Sequence, residues 1–252
     1  MIQDNLNPQS DSVLPYDVVT LPSQGIFIGN RKTVKVTYLN ASDENLLSSQ
    51  ALLTSGKLID SLIDRKIVDK DIRAEQLPLC DKEAILIFLR NTAFGSNYEV
   101  ELVDPKTKEP FKTTVDMSVL STKDINVKLD TNNEFEFFLE KSKKNVKLSF
   151  ISPQEELKLQ EIDNQYKNDP QTPYMTKQLE AMVKEIDGVR DRMTIAQFIQ
   201  TLPIRDSQNI RKIVRDNTPS LNLSIPTTTP SGEEMKVRIS LGAEFFRPFY
   251  GV

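Results

Sequence analysis

Three pairs of neighbouring carboxylates have a spacing that could do chemistry: Glu155 with Glu156, Asp187 with Asp191, and Glu233 with Glu234. Such pairs can act as general acid and base or hold a hard divalent cation. Two basic strings, KSKKNVK (141–147) and RDSQNIRKIVR (205–215), could instead contact phosphates, and the second places Arg211, Lys212 and Arg215 near one another on a helix. Histidine is absent, which removes the ordinary general base near neutral pH, the Ser-His and Cys-His nucleophile pairs and the commonest zinc ligand. The eight glycines form neither G-x-G-x-x-G nor G-x-x-x-x-G-K-[ST], and there is no D-x-[DN]-x-[DN]-G loop. No cofactor or metal is therefore expected.

The bulk composition narrows these options. A chain of 252 residues with 38% hydrophobic and 27% charged side chains can bury a sizeable core. Its net charge of -4 provides no global positive field for nucleic acid or an anionic membrane. Neither basic string is interleaved with aromatics suited to base stacking, so both read as solvated faces or salt-bridging surfaces. The acidic pairs read as solvated helix caps and turns, because charged residues are rarely buried. Cys80 is the single cysteine, which excludes an intrachain disulfide, suits a reducing cytoplasm and fits a small buried apolar role. The segment MIQDNLNPQSDSVLPYD carries neither a basic nor an apolar region of an export signal, and no run of eighteen apolar residues occurs. The C-terminal EFFRPFYGV differs from the rest in concentrating Phe245, Phe246, Phe249 and Tyr250 around Pro248. This group either packs back on the core or anchors a neighbouring protein, and its four aromatics are the candidate interaction residues.

The elements that must position these residues follow from periodicity. Val34, Val36 and Tyr38 alternate as a half-buried strand after the Pro15 and Pro22 interruptions. Ser42 is a candidate N-cap for a helix running to about Leu53, and Leu58, Ile59, Leu62 and Ile63 form the stripe of a second helix. A third runs from an Asp81 cap, with Ile85, Phe88 and Leu89 inward, to Gly95. Hairpins are expected over 99–120 and 135–150. Ser152, Pro153 and Glu155 then open a helix with a capping box, and TPYMTKQLEAMVKEIDG continues as one helix until Asp187 and Gly188. Short helices near 194–202 and 206–216 precede a third hairpin over 224–246. In the first and third hairpins Phe111, Thr113, Val115 and Met117 match Met235, Val237, Ile239 and Leu241, all at alternate positions. Without regular strand-helix alternation the fold class is α+β. The expected organisation is a flexible arm over 1–17, an α+β region with two hairpins over 18–151, and a helical region over 152–252 ending in the third hairpin and the aromatic end.

Several pieces in this order resemble the baseplate hub and hub-assembly protein family of contractile-tailed, T-even-type bacteriophages. They are LPSQGIFI, VTYLNASDENLL, DKEAILIFLRNTAFGSNYEVEL, VKLSFISPQEE, IDG followed by FIQTLPIRDSQNIRKIV, and the terminal EFFRPF. The resemblance implies a non-enzymatic component of the virion tail baseplate, assembled in the host cytoplasm. Its implied partners are other baseplate and tail proteins, including hub and tape measure; the net charge of -4 separately argues against a membrane and disfavours nucleic acid. Many family members carry a C-P-x-C-type pair in two hairpin turns, like zinc knuckles. Here those turns read VDPKTKEP and IPTTTPSGEE, so both hairpins lack thiolate ligands and must be closed by turn chemistry. Two other functions remain open at this stage: a carboxylate-dependent hydrolase of cell-wall glycan, and a regulatory nucleic-acid binder.

Overall fold

Alternating apolar residues pair the first two strands, and the turn between them depends on one glycine. In the computed structural model, which describes residues 15–246 apart from Asn168 and Pro170, β1 (Tyr16–Thr20) and β2 (Thr33–Thr37) are antiparallel, with Val19 opposite Val34. Gly25 has φ +72° and lies so close to the Arg31 backbone that a Cβ would meet the Arg31 carbonyl oxygen at 2.0 Å. Only glycine fits that turn.

The sequence stretch expected as one helix from Ser42 to Leu53 is two: α1 (Ala41–Leu47) and α2 (Gln50–Ser55). The cap of α1 is Asn40 rather than Ser42, and Asp43 closes a capping box by accepting the Asn40 backbone N–H at 2.8 Å. The break occurs where the Ser48 hydroxyl donates to the Glu44 carbonyl and Ser49 turns extended to cap α2 through Leu52 N–H. Serine side chains compete with the helix for backbone partners, which periodicity alone does not register.

The next helix, α3 (Leu58–Lys66), buries Leu58, Leu62 and Ile63 as its stripe predicts. A one-turn 3-10 segment, Ala74–Gln76, leads to α4 (Leu79–Phe94). Asp81 does not cap α4. It is the third residue of the helix, within the first turn, fully buried, and accepts bonds from the Ser23 backbone N–H at 2.9 Å and the Ser23 hydroxyl at 2.5 Å. Pro78 holds the cap position and α4 ends at Gly95 as expected. Beside Asp81, burial pushes the Cys80 thiol up from its ordinary range, so Cys80 is a small apolar core residue.

Lys66 and Asp43 form an ion pair inside this helical layer, with only 2% and 1% of their side chains exposed. Lys66 Nζ also donates to the Tyr38 carbonyl at 3.0 Å, and Arg65 Nε approaches the other Asp43 oxygen, Oδ1, at 3.0 Å. A buried charge of this kind is tolerated only when paired and hydrogen-bonded.

The expected hairpin over 99–120 is β3 (Asn97–Val103) paired with β4 (Pro110–Asp116), followed by a 3-10 turn, Met117–Val119. A short strand, β5 (Ser121–Lys123), precedes the second hairpin, β6 (Glu134–Leu139) with β7 (Lys144–Ser149). The helix α5 (Pro153–Gln165) begins with the predicted Ser152–Pro153–Glu155 capping box. The helix expected from Thr172 to Ile186 is cut short: α6 (Tyr174–Met182) gives way to β8 (Val183–Ile186), the third strand beside β7. The reason is local. Asp187 and Gly188 both take positive φ in a turn, and Asp187 exchanges hydrogen bonds with Asn145, which draws Val183–Ile186 onto the sheet edge. Met175, predicted on the apolar stripe, is 58% exposed.

The helices α7 (Arg192–Gln200) and α8 (Ile204–Asn217) follow, then β9 (Ser220–Asn222), β10 (Ser224–Thr228) and β11 (Glu234–Arg238), and a final 3-10 turn, Ala243–Phe246. The sheets are antiparallel and small, with strand orders β1-β2, β3-β4, β5-β9, β6-β7-β8 and β10-β11. The architecture is α+β. Its apolar residues gather in two clusters that do not divide near residue 152. The first joins β1, β2, α3 and α4 to the β3-β4 and β10-β11 hairpins; the second joins β6-β7-β8 to α6, α7 and α8. The third hairpin therefore belongs with the beginning of the chain rather than with the helices before it. β5 and β9 pair where the chain passes from one cluster to the other and back.

Candidate interaction sites and the clasp between two hairpin turns

Two of the three carboxylate pairs that could have done chemistry are engaged within the fold, and the third, Glu233 with Glu234, is exposed at the start of β11. Glu155 closes the α5 cap and pairs with Lys184 at 2.8 Å. Burial pushes its carboxyl up, and the Lys184 and Ser152 bonds outweigh that and hold it below its ordinary value. Asp187 binds Lys144 and the Asn145 backbone N–H, and Asp191 caps α7 through Thr194. The string KSKKNVK is likewise engaged within the chain: Lys144 pairs with Asp187, Lys147 with Asp130, and Lys143 lies over the Phe138 ring. In RDSQNIRKIVR, buried Asp206 accepts the Lys141 and Ser142 backbone N–H groups and the Ser142 hydroxyl, which fixes α8 to the β6-β7 loop. Arg211 and Arg215 face outward and line a cavity with Lys123.

Of the four aromatic candidates, Phe249 and Tyr250 lie outside the described residues. Phe245 and Phe246 are 0% and 2% exposed, inside the first core. Phe245 meets Phe246 edge-on at 5.3 Å and Tyr98 at 5.6 Å between ring centres. The buried Arg90 guanidinium stands 4.9 Å from the Tyr98 ring and 5.8 Å from Phe245, and donates to the Gly95 and Asn97 carbonyls. It thereby ties the end of α4 and the start of β3 to the chain's last described turn.

The two related hairpins meet each other. β10 lies against β4, and the inward residues Val115, Met117, Ile225, Val237 and Ile239 share the first core. At their tips Asp104, 1% exposed, receives four donors: the backbone N–H groups of Lys106 at 2.8 Å and Thr107 at 3.2 Å within its own turn, and the N–H at 3.1 Å and hydroxyl at 3.0 Å of Ser231 in the other. On the opposite side Thr229 braces Ser231 and accepts the Glu233 N–H, with Gly232 at φ +84° completing the turn. The pairing of Asp104 with Ser231, 127 positions apart, has no sequence signature beyond the Asp-Pro turn. These turns offer no thiolate and no imidazole, and the Asp104 oxygens are already occupied by N–H and O–H donors. A zinc ion does not fit them.

Burial alone would raise the Asp104 carboxyl, but the bonds from Lys106, Ser231 and Thr107 outweigh it and hold the pKa at about 2. Because this lies below the unfolded value of 3.8, the clasp's contribution is fully present above pH 4 and is lost as pH falls through 2. Asp104→Asn is expected to lower Tm at pH 7 by an amount on the order of 5 °C. That gap should close between pH 4 and pH 2 in thermal melts followed by circular dichroism. A gap independent of pH would show that Asp104 does not act through its charge.

Among the described residues no helix is long and apolar enough to cross a membrane. No match is found among curated proteins or solved structures. A family model described as T4 bacteriophage base plate protein matches residues 16–247, a span that takes in both cores and both clasped turns. On the strength of that match over nearly the whole chain, the chain belongs to the T4 bacteriophage base plate protein family.

Proposed function

We propose that this phage baseplate component serves at the baseplate hub, as a non-enzymatic subunit or assembly factor that works through contacts with hub and tape-measure proteins. It is assembled in the host cytoplasm and acts in the virion tail. The observation that carries this reading is that the family match spans the whole two-core architecture rather than a single motif. The ordered motifs of the sequence favour the hub within that family. The internal engagement of Glu155, Asp187 and Asp191 as caps and ion-pair partners supports a scaffold over a glycan hydrolase, which needs a carboxylate pair facing a cleft.

The test is co-expression of the tagged chain with hub, tape-measure and wedge proteins, followed by sedimentation and mass spectrometry of the complexes. The chain is expected to sediment with hub intermediates. Its absence from both partial and complete baseplates would overturn the proposal.

A further inference from the structure

We infer that the groove between α5, α6, α8 and the β5-β9 pair is a docking site for an acidic, partly apolar peptide segment of a neighbouring baseplate subunit. The inference rests on the baseplate reading above. The cavity has a volume of about 760 Å3, within the range of roughly 300–1,000 Å3 that holds a compact ligand or a short stretch of chain. Its floor is apolar, made by the buried side chains Leu159, Met182 and Val214. Its rim is cationic: among the described lining residues Lys123, Arg211 and Arg215 stand against one carboxylate, Glu156.

The cations are only partly committed to the fold. Lys123 Nζ donates to the Arg215 carbonyl at 3.0 Å, which holds the ammonium at the groove without neutralising it. Arg215 pairs with its exposed neighbour Asp216. Among the described residues Arg211 meets no carboxylate within ion-pair distance and has a long 3.4 Å contact with the Ser207 hydroxyl. Elsewhere in the molecule Lys144, Lys147, Lys184 and Arg190 each have a carboxylate partner. An excess of cation over an apolar floor is complementary to a segment whose Asp or Glu side chains reach the rim while its apolar side chains cover Leu159 and Met182. Nucleic acid fits less well: the floor is aliphatic, and among the described residues Tyr174 is the one aromatic lining the groove, which forms no stacking platform. The position adds a functional consequence. The groove spans β5-β9, where the chain crosses between its two cores, so an occupant would touch both crossing strands and the helices of the second core.

The experiment places a benzophenone photo-crosslinking residue at Gln178, inside the groove, or at Gln50, exposed on α2 in the other part of the molecule. The full chain is co-assembled with the hub and wedge proteins and cross-linked peptides are sequenced. Gln178 is expected to capture one segment rich in Asp or Glu and apolar residues, at least tenfold above Gln50. The double variant Arg211→Glu/Arg215→Glu, checked for an unchanged thermal melt, should reduce that capture at least tenfold. So should raising salt, which screens the rim charges. If the protein enters hub complexes but Gln178 captures nothing above Gln50, the groove inference fails and the baseplate reading stands. Capture of a second copy, of the chain's own N-terminal residues or of nucleic acid also overturns it. A chain that enters no baseplate complex removes both.

Discussion

Replacing Phe245 by alanine should lower the stability of the fold by about 3–5 kcal/mol, the cost of emptying a fully packed aromatic site. The side chain has no exposed surface and contacts Tyr98, Phe246 and the stacked Arg90 guanidinium. Truncation would leave a void and remove one face of the Arg90 site, so the cation that ties α4 to β3 would lose packing as well as the Phe ring losing burial. Urea unfolding followed by circular dichroism measures the change. The variant also separates two roles for the aromatic C-terminal stretch. A residue that anchors a partner would leave the isolated chain's stability within about 0.5 kcal/mol while weakening the complex. A core residue would do the reverse, and a near-neutral melt for Phe245→Ala would contradict the packing described here.

The second large effect concerns the buried ion pair. Lys66→Met keeps most of the aliphatic stem but strands the Asp43 carboxylate, whose remaining charged neighbour is the half-exposed Arg65. An unpaired buried charge makes such a variant costly, by about 3–5 kcal/mol. Asp43→Asn with Lys66→Met should recover a substantial part, because the amide still accepts the Asn40 N–H of the capping box and no buried charge is left unpaired. The double-mutant cycle measures the coupling. If Lys66→Met were as stable as the parent chain, the pair would contribute nothing to holding α1 against α3.

The sequence was informative where one local rule decides an element. The Ser152–Pro153–Glu155 cap, the α3 stripe and the pairing of both related hairpins appear as expected, because each depends on residues a few positions apart. The second strands of those hairpins nevertheless end at Asp116 and Arg238, before Met117, Ile239 and Leu241. Elements decided by distant partners were not legible. Val183–Ile186 continues a helical stripe by period, yet becomes a strand because Asp187 and Asn145 exchange hydrogen bonds across 42 positions. β5 and β9 are three residues each, too short for a period, and exist only through each other. Asp81 looked like a helix cap because it precedes an apolar run; its true partner, Ser23, is 58 positions away. The clasp follows the same rule. Both turns were visible as turns, but nothing local to Asp104 names Ser231. Arg211 and Arg215 stood out as charges, while the groove needed Lys123 from another part of the chain to become visible.

The way the first core is assembled from both ends of the described chain has a consequence for its synthesis. The second core's buried residues all lie between Phe135 and Val214, so that cluster can close as soon as α8 has emerged. The first must wait for Ile225, Val237, Ile239, Phe245 and Phe246, which are made after α8. Until they arrive, α4 and the β3-β4 hairpin present an apolar face with no cover, and Asp104 has no Ser231 to hold. The order of translation thus lets the second core close before the first, and a nascent chain paused between α8 and Ser231 would expose the uncovered apolar face of α4 and the β3-β4 hairpin.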